Sequence, residues 1–127
     1  LNALKNEYLP KARKAYQDGS DAYYPYGKQL CSDIRIIVER CVELDLLADV
    51  VQRYRRAINT LGKIQNLTRI KKADCDLIDD FMTRYSCFEH SQSMETPVLL
   101  PIPDEIGADI DKLRAWQQEF TKRTPNG

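Results

Sequence analysis

An all-α fold is what this sequence predicts: a single-domain bundle of about four to five helices over residues 1–127. Apolar residues recur three and four positions apart through most of the chain, and no useful length shows the strict alternation of a half-buried strand. Chain length sets the scale. At 127 residues the protein can bury a modest core as one domain without staples.

The first helix is expected over Asn2 to Gln17, where Leu4, Tyr8, Ala12 and Tyr16 share a face; Pro10 should kink or break it, and Gly19 and Ser20 should end it. Asp21 to Gly27, reading DAYYPYG, is too rich in tyrosine, proline and glycine to continue a helix and is expected as a packed connector. The longest regular segment follows in KQLCSDIRIIVERCVELDLL, where Leu30, Ile34, Ile37, Val38 and Cys41 form a continuous stripe, marking a central helix of the bundle. Leu47, Val50, Tyr54, Ile58 and Leu61 predict another helix ending at Gly62, followed by a short turn from Lys63 to Ile70. Asp74 is placed to cap a helix carrying Leu77, Ile78, Phe81, Met82 and Tyr85. Cys87 to Pro103 then reads as a long irregular loop, of a kind usually kept for function. Asp104 is expected to cap a last helix with Ile106, Ile110, Leu113, Trp116 and Phe120 on one face.

Nineteen basic residues balance nineteen acidic ones, so net charge gives no hint of a polyanionic partner. Local segregation does. Arg53, Arg55, Arg56, Lys63, Arg69, Lys71 and Lys72 lie between Val51 and Ala73 with no acidic residue among them. Such a segment suits RNA backbone binding; a solvated helix face is the alternative. Tyr23, Tyr24, Tyr26 and Tyr85 are candidates to stack unpaired bases, or else core residues.

No apolar run approaches the roughly 20 residues of a membrane span, and no secretion signal opens the chain. The expectation is a cytoplasmic protein with no membrane partner. The chain opens on Leu1 and is read as an excised piece of a longer protein. Cys31, Cys41, Cys75 and Cys87 lack zinc-site spacing and are expected as reduced thiols, so neither metal nor cofactor is expected. Asn66-Leu67-Thr68 matches a glycosylation acceptor by chance.

Two pairs carry candidate chemistry. His90 is the single histidine, six positions after Arg84. On a continuing helix the two would stand about 120° apart, so their meeting requires the helix to end near Ser86 and the chain to turn back. Capping or plain surface exposure is the alternative for His90. Arg35 and Glu39, four apart, share one helix face on the shoulder of the apolar stripe, where an ordinary intrahelical salt bridge is the alternative.

Arg84-x5-His90 resembles the arginine-histidine motif of the HEPN superfamily of helical RNases, and Glu39 on an earlier helix is similar to their second element. The wider text from IRIIVERCVELDLLADVVQRYRRAINT through RYSCFEH to PVLLPIPDE resembles the carboxy-terminal HEPN region of large ABC-type ATPases related to anticodon nucleases. In that group an Arg and a Glu four apart, then a His, are implicated; Arg35, Glu39 and His90 match in order. The resemblance spans roughly Tyr24 to Trp116 and departs where Tyr85 follows the arginine, leaving Ser86 as the nearest polar group. It implies a metal-independent endoribonuclease cutting a tRNA anticodon loop or similar RNA, with His90 moving protons, Arg84 stabilising the transition state, Arg35 on a phosphate and Glu39 orienting them. It further implies a homodimer, an ABC-type ATPase portion or subunit, and a toxin-like place in phage defence. No Gly-x4-Gly-Lys loop is present, so that ATPase would lie elsewhere. A noncatalytic helical interaction or sensor module regulating an ATPase is the rival expectation.

Overall fold

The computed structural model describes residues 1–90 and 100–125, with the side chains of residues 20 and 87–90 outside the description. The described residues are all-α, with no strand among them. The chain begins with a widened π-helical turn, Leu4–Tyr8, that runs directly into helix α1, Leu9–Gln17. Pro10 explains the widening. Its ring lacks an N–H and crowds the carbonyl one turn back, so the Leu9 N–H bonds instead to Leu4 and the helix continues without a break.

Gly19, at φ +122°, makes the sharp entry into α2, Ser20–Cys41. The expected connector at Asp21 to Gly27 is therefore the first turns of this helix. Tertiary packing overrides the local breakers. Tyr23 is buried and donates its hydroxyl to the Pro101 carbonyl at 2.5 Å, while Gly27 lets Leu100 and the Tyr23 ring lie against the backbone. A Cβ at Gly27 would stand 3.0 Å from both.

A second π-helical turn, Val42–Leu46, closes on a bond from Leu47 N–H to the Val42 carbonyl at 2.8 Å. Left-handed Ala48 and Asp49 then stop the helix. The helix expected through Leu47 to Leu61 is not formed. Only Val50 of the later stripe is buried, whereas Tyr54, Ile58 and Leu61 face solvent, so no second layer rewards the helical register. Asp49 takes over the segment instead, its carboxylate receiving Arg55, Gln52 and Lys63, and Asn59 N–H closes the loop on the Val50 carbonyl at 2.8 Å. The expected turn at Lys63 to Ile70 is a short 3-10 helix, Ile64–Arg69.

Helix α3, Lys72–His90, runs past Ser86, because neither glycine nor proline interrupts 72–90. The predicted helix end at Ser86 is thus corrected; of the loop expected over Cys87 to Pro103, residues 87–90 are helical, 91–99 lie outside the described residues, 100–102 are irregular and Pro103 already opens the last helix. Asp74 sits in the first turn with its carboxylate turned back onto the Lys71 N–H at 2.7 Å. It is also a buried hub, accepting the Trp116 indole N–H at 2.9 Å and Arg123 at 2.6 Å. Helix α4, Pro103–Thr121, starts on Pro103 after Ile102 without a side-chain cap; Asp104 pairs with Arg13 of α1 instead.

Helix α2 lies centrally, in contact with α1, α3 and α4. Leu30, Cys31, Ile34 and Val38 are buried with Ile78, Phe81 and Tyr85 of α3 and Ile106, Ile110, Leu113 and Phe120 of α4. Each such large side chain, fully withdrawn from water, contributes about 1.5–3 kcal/mol. No helix among the described residues is long and apolar enough to cross a membrane.

Candidate functional site

The α2–α3 seam brings distant parts of the chain together. Arg35 donates Nε to Glu39 Oε1 at 3.1 Å and Nη1 to the Ser86 hydroxyl at 2.5 Å, so one guanidinium joins the two helices. Glu39 Oε2 accepts Arg53 Nη1 at 2.8 Å, and Arg53 Nε reaches Glu43 at 2.6 Å. Glu39, Val42, Glu43, Arg53 and Met82 line a cleft of about 280 Å³. A larger cavity of about 520 Å³ lies elsewhere, between the first residues, α2 and α4, and is lined by none of Arg35, Glu39, Arg84 or the basic residues of 51–73.

Register follows from these contacts. Moving from Arg35 forward to Glu39 on α2 corresponds to moving from Ser86 back to Met82 on α3, so the helices run antiparallel. His90 is four positions after Ser86, hence on the same face of α3 and about 6 Å further along its axis. The His90 side chain lies outside the described residues, but its helix position adjoins the Arg35 end of the seam rather than the Glu39 end.

Arg84 belongs to a different face, two residues and about 200° from Ser86. Its guanidinium grips Asp109 of α4 with two bonds, 2.8 and 3.1 Å, and Asp80 with a third at 3.1 Å. The Tyr85 hydroxyl also donates to Asp109, at 2.5 Å. Asp109 bonds and burial leave Arg84 more firmly protonated than usual, the bonds outweighing the burial. Since α3 continues to His90, Arg84 and His90 stand about 120° apart and the turn-back that would join them is not made.

Glu39 is half-sheltered. Burial alone would raise its carboxyl, but hydrogen bonds and charge from Arg35 and Arg53 outweigh that and hold it below its ordinary value. It is therefore held as an anion between the two guanidiniums.

The basic segment is less bare than its sequence. Arg53 meets Glu39 and Glu43, Arg55 and Lys63 meet Asp49, and Lys72 meets Asp76. Arg69 bonds to backbone carbonyls and lies 4.9 Å from the Phe120 ring centroid. Arg56 and the Lys71 side chain make no ion pair among the described residues. Of the tyrosines, Tyr23 and Tyr85 are core, and Tyr24 and Tyr26 are partly open to solvent.

Sequence reasoning missed Ser86, Glu43 and Asp109 as partners and the reach of Arg53 to Glu39. An arginine fourteen residues from its carboxylate, across a loop, leaves no periodic signal. No model of a known family, no curated protein and no solved structure matches the chain.

Proposed function

We propose that the α2–α3 seam is the active site of a metal-independent endoribonuclease of HEPN type. One observation carries the reading: Arg35, paired with Glu39, reaches across to Ser86, one helical turn before His90 on the same face of α3. Glu39, Arg35 and the helix position of His90 then follow one another along that seam.

In this mechanism the 2'-hydroxyl next to the scissile bond attacks its own 3'-phosphate, the 5'-oxygen leaves, and a 2',3'-cyclic phosphate remains. His90 takes the proton from the 2'-hydroxyl and returns it to the leaving 5'-oxygen, imidazole as a class suiting proton transfer at neutral pH. Arg35 stabilises the charge on the crowded phosphorane with a fixed fork of donors. Glu39 keeps that fork in place, and Arg53 stands at the cleft as the nearest phosphate ligand. Arg84 fixes α3 to α4 and positions the seam. A tRNA anticodon loop or similar RNA as substrate, pairing of two copies, and restraint by an ABC-type ATPase in phage defence accompany this reading.

The test is incubation with total tRNA. Discrete fragments with cyclic-phosphate ends should form in EDTA and vanish in His90→Ala with an unchanged circular dichroism spectrum; full activity in that variant would end the proposal. A second reading, a noncatalytic helical module, draws on the saturation of Glu39 and Arg84 by opposite charges, which also suits a purely structural frame. It predicts no fragments from the wild-type protein.

A further inference from the structure

Residues 51–64 hold a feature that neither core packing nor the cleavage chemistry uses. The Arg55 N–H bonds to the Gln52 carbonyl at 3.3 Å, making a turn whose third residue, Tyr54, has φ +67°. Only the third position of this turn is left-handed, the arrangement in which glycine is ordinarily required. Tyrosine there is strained, and its side chain gains nothing inside the fold, being 101% exposed.

The turn that carries Tyr54 is pinned on both sides. Arg53, just before it, is fastened to Glu39 and Glu43, and Arg55, just after it, to Asp49 and the Asp49 carbonyl. Tyr54 is thus presented between two anchored arginines, the first of which touches the α2–α3 seam. Next to it Arg35, Arg40, Arg53, Arg55 and Lys63 share three carboxylates, Glu39, Glu43 and Asp49, so this ion-pair network carries more cations than anions. Ile58 and Leu61 add exposed apolar area on the same loop.

We infer that Tyr54 is a stacking platform for an unpaired base of an RNA strand, with Arg56 on the adjoining phosphate, seating single-stranded rather than duplex RNA beside the seam. Planar stacking explains an aromatic ring where glycine would be easier, and the positive surround suits a phosphate backbone. This rests on the RNA reading above but concerns binding, not cleavage.

The experiment uses fluorescein-labelled single-stranded RNA octamers and a duplex of the same length, with fluorescence anisotropy read in the His90→Ala background and in the wild type. Expected are tighter binding of single strands than duplex, roughly tenfold weaker single-strand binding in Tyr54→Ala, and retention in Tyr54→Phe. Tyr54→Gly should bind as weakly as Tyr54→Ala while melting no lower than the wild type, because glycine relieves the strained backbone. Equal binding by Tyr54→Ala and wild type, no single-strand preference, or no RNA binding at all would overturn the inference. So would Tyr54-dependent binding to phosphatidylserine vesicles without RNA binding, which would make the loop a membrane contact. Tyr54-dependent binding without any cleavage would sink the nuclease reading alone; cleavage with Tyr54-independent binding would sink this one alone.

Discussion

Replacing Asp74 with alanine should be among the most damaging single changes in the protein. Its carboxylate is 1% exposed and accepts the Lys71 N–H at 2.7 Å, the Trp116 indole N–H at 2.9 Å and Arg123 at 2.6 Å. A hydrogen bond to a charged group contributes about 1.5–3 kcal/mol, but the three do not simply add. Arg123 keeps Glu119 and the Arg69 carbonyl, and the Lys71 N–H lies at a helix start that water can reach, so the lasting penalty falls on a buried indole donor and a half-deserted guanidinium. Breaking a buried pair of this kind costs about 3–5 kcal/mol, a large share of a typical total of about 5–15 kcal/mol. Urea unfolding read by the fluorescence of Trp116, the single tryptophan, should show the midpoint falling by about 2 M. The pH dependence supplies a second check. Burial would raise the Asp74 carboxyl, yet Arg123, the Lys71 N–H and Trp116 outweigh it and hold it below its ordinary value. With the folded value below the unfolded one, near 3.9, the stabilisation is present above that pH and lost as pH falls through the folded value. The gap between wild type and variant should therefore shrink below about pH 4. A gap under about 1 kcal/mol at pH 7, or one constant down to pH 3, would refute the reasoning.

Gly27→Val should destabilise by about 1–3 kcal/mol in the same assay, although replacing a mid-helix glycine normally helps, because Leu100 and Tyr23 leave no room for a branched side chain; an unchanged midpoint would contradict the packing described. Burial first, then Asp109, pushes the Cys31 thiol up to about 12, and burial with Asp45 does the same for Cys41, whereas Cys75 is exposed. Iodoacetamide at pH 8 followed by peptide mapping should label Cys75 well before Cys31 and Cys41, and equal rates would show those thiols to be open to solvent.

The fold class and the last helix were legible because a stripe such as Ile106, Ile110, Leu113, Trp116 and Phe120 is both periodic and buried. Where periodicity and burial part company, the reading failed. Leu47, Val50, Tyr54, Ile58 and Leu61 keep helical spacing, but no neighbouring element covers the later three, and Asp49 offers side-chain bonds that a helix cannot. Pro25 and Gly27 look like breakers until the Pro101 carbonyl and Leu100 arrive from more than 70 residues away. The Arg35–Glu39 pair was legible from its spacing, since four residues define a helix face. The separation of Arg84 from His90 turned on where α3 ends, and helix ends are weakly written in sequence when no proline or glycine marks them. The link from Arg35 to Ser86 is a contact between two helices and leaves no local trace.

Because the chain has one histidine, a selectively labelled imidazole gives a single NMR resonance whose titration reports its surroundings. If His90 shares the α2–α3 seam with Arg35, Arg35→Ala removes a nearby positive charge and should move the titration midpoint upward, while Arg84→Ala should leave it in place. A midpoint that responds to Arg84→Ala and ignores Arg35→Ala would put the imidazole on the other side of α3 and contradict the site described here.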